Sequence, residues 1–345
     1  MKQGIRMSIY ILLVVVTGAG YLVLFAPNMF EGDRFIVVSR GESFSQVIDS
    51  LQKAGVIRNR IMIRMAGEVL NLTTRMQIGK YRFRSGMSNR DILQDLREGR
   101  TIEMITVVIP EGVRTSWVAH RFSQKLGIDS ARFMALAADT HFIAGLGVHA
   151  PTLEGYLFPE TYKMYWQGDE SDILKELVRQ FRIFFNDSLQ RVAARRGLTT
   201  TEVLTVASIV EAETSVDSER AVVAGVYYNR LKKHMLLQAD PTADYVLNGK
   251  VHQLSDEDLR RPSPYNTYRN PGLPPGPINN PGKASILAAL NPKKHRYLFF
   301  VATGEGGHTF SATFAQHRLA VQRYRSVIRT KSSSAPNAGM KDENR

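Results

Sequence analysis

The chain's clearest chemistry lies in Ile209-Val210-Glu211-Ala212-Glu213-Thr214, where a carboxylic acid closes an apolar run. A carboxyl group on an apolar surface resists ionisation, so Glu211 is expected to hold a proton near neutral pH and to donate it as a general acid. Thr199 and Glu202 have the spacing of a capping box, and Val203, Val206, Ala207 and Val210 follow at helical period. This predicts a helix that opens at Thr199 and ends beside Glu211, with Glu211 on the edge of its buried stripe. The negative end of that helix disfavours a carboxylate by roughly 0.3–1 kcal/mol, in the same direction as burial. Glu213 projects about 200° further round, at about 100° per residue, toward solvent or a neighbouring loop. Ser215, with Asp217 and Glu219 behind it, reads as the start of another helix through Ala221, Val222, Val226 and Leu231. The competing reading of Glu211 is a helix-end carboxylate paired with Arg220 or Arg230.

Beyond this helix comes a dense run of unusual peptides: Asn229-Arg230-Leu231, Leu237-Gln238-Ala239-Asp240-Pro241-Thr242, Tyr265-Asn266-Thr267-Tyr268, Gly272-Leu273-Pro274-Pro275-Gly276-Pro277-Ile278 and Gly306-Gly307-His308-Thr309-Phe310. Amides, tyrosines and rigid turns of this kind suit a groove that hydrogen-bonds hydroxyl and acetamido groups. Glu213, Gln238, Asp240, Tyr265, Asn266, Thr267, Tyr268 and His308 are the candidate binding side chains, although a lone histidine is more often a satisfied structural residue. The aromatic segment from Pro151 to Tyr162 could stack on sugar faces or simply cover the core. No P-loop, dinucleotide fingerprint, nucleophile elbow or His-Glu-x-x-His is present. No His, Asp or Glu cluster has metal-ligand spacing, and cysteine is absent, so neither a metal nor a cofactor is expected.

These residues need a location and a scaffold. Met7 to Ala26 carries no charged side chain, and such a helix is about 30 Å long, enough to cross a bilayer core. Leu24-Phe25-Ala26-Pro27 makes a poor cleavage site, so the span reads as a retained anchor. Lys2 and Arg6 precede it and Glu31 and Asp33 follow, which puts residues 1–6 in the cytoplasm and the rest outside the inner membrane. The net charge of +13 would suggest nucleic acid in a cytosolic protein; for an exported one, anionic lipid or an acidic wall polymer is the simpler partner. The basic run from His317 to Lys331 reads first as a solvated helix face. Residues 331–345 have the composition of a disordered tail.

Between anchor and glutamate helix the pattern is mixed. Phe35–Val38 and Lys80–Phe83 read as strands, as does Ile105–Ile109. Helices fit Val47 to Ala54 with Gly55 at the C-cap, Asn59 to Val69, and Asn89 to Leu96. Residues 34–110 therefore form a small α+β module whose opening strand, turn and helix resemble a LysM-like wall-binding module. Residues 111–196 are largely helical, and 111–328 make a larger mixed α/β domain. The fold class is α+β behind a single N-terminal transmembrane helix.

Taken in order, Ile-Val-Glu-x-Glu-Thr at Ile209 to Thr214, Leu-Gln-x-Asp-Pro-Thr at Leu237 to Thr242, Tyr-Asn-Thr-Tyr at Tyr265 to Tyr268, Leu-Pro-Pro-Gly-Pro-Ile and Gly-Gly-His-Thr-Phe resemble the endolytic murein transglycosylase (MltG, or YceG-like) family. The resemblance covers roughly residues 34 to 325. Ala212 departs from it, standing where the family often carries a basic residue, and the tail has no obvious counterpart. It implies cleavage within peptidoglycan glycan strands beside the membrane, with Glu211 as the single catalytic glutamate and 1,6-anhydro ends as products. It implies peptidoglycan strands and the membrane as partners, with cell wall synthases as candidates, no nucleic acid and no cofactor. The alternatives are a lysozyme-like hydrolase using Glu211 with Asp240 or Glu213, and a non-catalytic wall-binding scaffold.

Overall fold

The computed structural model describes residues 2–74, 76–249 and 254–334. In chain order the elements are α1 (Lys2–Phe25), β1 (Arg34–Val38), α2 (Phe44–Lys53), α3 (Arg60–Val69), β2 (Gly79–Phe83), α4 (Asn89–Glu98), β3 (Ile102–Glu103), β4 (Ile105–Val108), α5 (Thr115–Leu126), α6 (Ser130–Ala137), α7 (Thr140–Gly145), β5 (Thr161–Met164), α8 (Glu170–Phe184), α9 (Asp187–Arg195), α10 (Thr200–Glu213), α11 (Asp217–Lys232), α12 (Asp240–Val246), α13 (Asp256–Leu259), α14 (Lys283–Leu290), β6 (Phe299–Ala302), β7 (His308–Ser311) and α15 (Phe314–Ser334). They divide between two compact units. The first runs through Val108 and adds His120–Ser130 and Thr161–Ile173; the second takes Ile109–Ala119, Ala131–Glu160 and the chain from Leu174 on.

In the first unit, β1, β2 and β3 form an antiparallel sheet in that order. Gly79, Tyr81 and Phe83 alternate inward along β2, the period of a sheet with one buried face. Tyr81 and Phe83 pack with Ile36, Val47, Ile48, Leu51, Ile63 and Leu93 from β1, α2, α3 and α4 in one core. Local chemistry sets the helix ends. Ser43 and Gln46 form a reciprocal capping box on α2, Asn59 caps α3 through Ile61 and Met62, and Gly55 takes φ +71° just past α2, a left-handed conformation that glycine adopts without a Cβ penalty. α1 is long and apolar enough to cross a membrane over Ile5–Phe25, and Val23 and Leu24 in its last turns are partly buried against this core.

β4 does not join that sheet. It pairs antiparallel with β5, Ile105 opposite Met164 and Val108 opposite Thr161. A single boundary near residue 110 assigned β5 to the later domain; the long-range pairing draws it into the first unit instead.

The second unit is built around α10. Its cap is the expected one, with Thr199 accepting from the Glu202 N–H and Glu202 reaching back to the Thr199 N–H. Every residue from Val203 to Val210 is buried, because α9, α11, α12 and α14 all pack on the helix. A single buried stripe was expected; α10 is instead a central helix, apolar on all sides. α11 begins at Asp217 with Val216 at its N-cap and no side-chain cap, so Ser215 does not open it. The aromatic segment covers the core: Leu153, Tyr156, Leu157 and Phe158 are all buried, as is Tyr162 of β5 within the first unit, while Pro151 and Tyr156 also line a groove. Lys331–Ser334 close α15, and residues 335–345 of the expected tail lie outside the described residues.

Candidate active site

Glu211 stands in the last turn of α10, and three elements converge on it. Arg220 of α11 donates Nη1 to Glu211 Oε1 at 3.0 Å, and both side chains are 8% exposed. The Gly282 N–H, at the entrance to α14, donates to Glu211 Oε2 at 2.9 Å. Arg220 also donates to Ser285 Oγ at 2.5 Å and to the exposed Asp217 at 3.0 Å. Of the two arginines considered as structural partners, Arg220 is therefore the one that pairs, while Arg230 donates to the carbonyls of Leu298 and Leu237. Pairing alone does not set Glu211 apart from a helix-end acid. Its further surroundings do.

Glu111 is the residue that sequence reasoning missed. Its carboxylate lies against the Gly282 Cα, filling the space a Cβ would occupy: an added Cβ would meet Glu111 Oε1 at 2.0 Å and Oε2 at 2.4 Å. The Lys283 backbone N–H donates to it. Burial, and then the neighbouring Glu211 charge, raise the Glu111 carboxyl above its usual range. Gly112, at φ +76°, brings the backbone to 3.4 Å from Glu211 Cγ, measured from an added Cβ. The only signal in the sequence was Pro110-Glu111-Gly112 at the end of a strand-like run, an acid on a turn.

The loop carrying Gly282 is held along α10 by polar contacts. Ile278 N–H donates to Ser208 Oγ at 3.0 Å, and Asn279 Nδ2 to the Ser208 carbonyl at 2.8 Å. Asn280, fully buried, accepts from the N–H groups of Gly155 and Leu157 at 2.9 and 3.0 Å. It donates to Val113 O at 3.0 Å and to Glu154 Oε1 at 3.2 Å. Gly112 and Asn280 complete the lock with a backbone bond of 2.8 Å. Pro277 packs on Gly155, whose φ of +85° and lack of a Cβ permit the approach. The Pro-rich motif thus delivers the Gly282 N–H to Glu211. Burial raises Glu154 to about 7 in spite of the Thr115 hydrogen bonds it accepts.

The other candidates group separately. Glu213, Gln238, Asp240 and Tyr268 line a cavity of about 280 Å³ together with Tyr227 and Arg230. Glu213 borders this cavity beside the loop residues Gln238 and Tyr268, in line with the expected approach to a neighbouring loop. It is half-buried, with its carboxylate turned onto Tyr227 of α11, which donates to it at 2.5 Å, and burial raises it to about 7. Asp240 accepts from the Tyr268 hydroxyl and belongs to this cavity. Asn266 and Thr267 are buried and serve the fold: Asn266 donates to Leu259 O at 3.0 Å and Arg261 O at 2.8 Å, and Thr267 Oγ1 accepts from Ala239 N at 3.0 Å. The Tyr265 ring lies 4.9 Å from that of Tyr245, tilted by 43°. His308 contacts Glu219 through Nδ1 at 2.7 Å and donates its backbone N–H to the same carboxylate at 2.8 Å, which steadies the α11 turn that carries Arg220. A larger groove of about 1090 Å³, lined by Tyr156, Phe181, Arg182, Thr199 and Pro275 among others, lies at the opposite end of α10. No group of metal-ligating side chains occurs among the described residues.

A family model described as the YceG-like family matches residues 36–323. The chain belongs to the YceG-like family. A Bacillus subtilis (strain 168) relative named endolytic murein transglycosylase is 32% identical over 305 residues, 84% of either chain. A Streptococcus pneumoniae serotype 2 protein of the same name is 29% identical over 347 residues, which cover 88% of this chain but 62% of that one. The crystal structure of a yceG-like protein from Listeria monocytogenes superposes with a TM-score of 0.59 at 30% identity, covering 84% of this chain and 99% of the other. The matched range takes in the YceG-like chain's whole cluster, from Glu111 through Ser285.

Proposed function

We propose that this YceG-like protein is a membrane-anchored endolytic transglycosylase that cuts the bond between N-acetylmuramic acid and N-acetylglucosamine inside nascent peptidoglycan strands, with Glu211 as acid and then base. The observation that carries the reading is the Glu211 carboxylate in the last turn of α10, fixed by Arg220 at 3.0 Å and the Gly282 N–H at 2.9 Å, in a chain whose relatives bear the transglycosylase name. Glu211 protonates the glycosidic oxygen as that bond breaks. Arg220 and the N–H stabilise the negative charge left behind. The carboxylate then takes the proton of the muramoyl C6 hydroxyl, which attacks C1 and closes a 1,6-anhydro ring. An internal nucleophile held close needs orientation more than a second catalytic acid.

In this reading α1 is a single-pass anchor with its N-terminus in the cytoplasm and the active site outside. The strand and helix order β1, α2, α3, β2 supports a LysM-like role for residues 34–110 in holding glycan. Gln238, Asp240, Tyr268 and Glu213 supply polar contacts to the strand from their shared cavity.

Glu111 favours a second reading. Two carboxylates at one site are the apparatus of a hydrolase, in which one activates water. Asp240 is less suited to that part, because it sits with Glu213 and Tyr268. Mass spectrometry of the products of purified strands separates the two: the proposal expects internal cuts with 1,6-anhydro ends, whereas free reducing ends would establish the hydrolase.

A further inference from the structure

The end of α1 is built into the first unit rather than joined to it by a loose linker. Asn89, the first residue of α4, donates Nδ2 to the Val23 carbonyl at 2.8 Å, satisfying one of the acceptors that a helix end leaves open. Asn28 donates Nδ2 to Asn89 Oδ1 at 3.1 Å and its backbone N–H to Met87 O at 2.9 Å, and the Gly86 N–H returns a bond of 2.9 Å to Asn28 O. Pro27 bridges to Ser88, and α1 packs on both α3 and α4. With α1 as the anchor, these contacts fix which part of the unit is carried next to the bilayer.

That part includes α3. Arg58, just ahead of the Asn59 cap, donates Nη2 to Met29 O at 3.3 Å, which ties the start of α3 to the segment leaving α1. At 1.5 Å per residue α3 is about 15 Å long, so none of it lies far from the exit of the span. Its inner residues Ile63, Ala66 and Gly67 are buried. Ile61, Met62, Met65 and Val69 are instead 66%, 37%, 49% and 71% exposed, and at about 100° per residue they share one arc of about 100°. Such a contiguous apolar stripe is unfavourable against water and marks an interaction surface. The arginines beside it are already engaged: Arg60 pairs with Asp49 at 2.9 Å, and Arg64 donates to Ser45 Oγ at 2.8 Å. An apolar stripe with a polar flank, held beside a membrane span, fits the boundary between headgroups and acyl chains, a layer about 5–7 Å deep on each side of the hydrocarbon core.

We propose that α3 is an interfacial helix: Ile61, Met62, Met65 and Val69 insert among the lipids around α1, so that the first unit is seated on the bilayer. This rests on the reading of α1 as the anchor. The occupant of the stripe is the phospholipid interface, and no anionic headgroup is required. Each side chain withdrawn from water favours the seated state on the order of tenfold. The fold itself thereby sets the height of this unit above the membrane.

The chain has no cysteine, so a single fluorophore can be attached at a chosen site. The test uses the full-length protein, one copy per phosphatidylcholine nanodisc, labelled through Leu13→Cys in α1 or Met65→Cys in α3. Nitroxide on the lipid acyl chains is the membrane quencher and iodide the aqueous one. Both labels are expected to be quenched by the nitroxide lipid and shielded from iodide. Adding Ile61→Asp and Val69→Asp, both at exposed positions, should weaken insertion on the order of 10²-fold, handing the α3 label to iodide while the α1 label is unmoved. If the α1 label is quenched by lipid and the α3 label only by iodide, the anchor stands and the interfacial helix is overturned. Lipid quenching that survives the two aspartates overturns it as well, and so does shielding that appears only in discs holding two copies, which would assign the stripe to a second copy of the chain. If the α1 label escapes lipid quenching, the anchor reading itself fails and the seat goes with it.

Discussion

Replacing Arg220 with Met should expose how strongly the site depends on its one shared cation. The Glu211 arm of this arginine is nearly closed to solvent, each side chain being 8% exposed. Removing one partner of such a pair leaves an uncompensated charge and costs about 3–5 kcal/mol. The Asp217 arm adds roughly 0–1 kcal/mol, since that carboxylate is 83% exposed and well screened. A loss of this size lowers the midpoint of the unit by about 6–20 °C. The deficit should shrink in acid, where an unpaired buried carboxylate neutralises itself by taking a proton. Thermal unfolding of wild type, Arg220→Met, Glu211→Gln and the double variant provides the assay. The double variant should be more stable than Arg220→Met alone, and activity of Arg220→Met should fall on the order of 10²-fold from lost charge stabilisation. A double-variant stability equal to the sum of the two single effects, within about 0.5 kcal/mol, would refute the reasoning.

Glu154 offers a pH test of the scaffold. Burial raises it from 4.5 to about 7 in the folded state, so its contribution is full below pH 4.5 and is lost as pH rises through about 7. Glu154→Gln, which keeps an acceptor for Thr115 and Asn280, should match wild type in acid and exceed it at pH 8 by on the order of 3 kcal/mol; denaturant midpoints at both pH values check this, and a constant difference contradicts it. Glu213→Gln should retain more than about a tenth of wild-type kcat, because Glu213 faces Tyr227 and the Asp240 cavity rather than Arg220 and Gly282; a deeper loss than in Glu211→Gln would exchange their roles.

What the sequence revealed was local. The Thr199 and Glu202 box, the Asn59 cap and the Gly55 turn depend on neighbours within a few residues, and each has the structure expected of it. So does the position of Glu211 in the last helical turn. Contacts between distant segments were out of reach. Periodicity placed Ile105–Val108 in a strand but could not say that its partner is β5, and β3, two residues long, is too short to leave a pattern. Periodicity likewise could not say that Glu213 meets Tyr227 of α11 and shares a cavity with Asp240. The motifs were recognisable without their functions. Leu-Pro-Pro-Gly-Pro-Ile aims a backbone N–H at Glu211, and Asn266 and Thr267 brace the loop they sit in. Glu111, a hundred residues before Glu211, was joined to it by nothing but the fold.

The most direct measurement is the rate at which Glu211→Gln, in the full-length protein, produces 1,6-anhydro ends from purified glycan strands, followed by mass spectrometry beside a folding control. Gln is nearly isosteric and can still accept the Gly282 N–H, but it cannot cycle a proton, and acid–base assistance is worth about 10²–10⁴ in rate. The account predicts a folded protein that binds strands and forms anhydro ends at least about a hundredfold more slowly than wild type. A folded Glu211→Gln variant that keeps more than about a tenth of wild-type activity would contradict it.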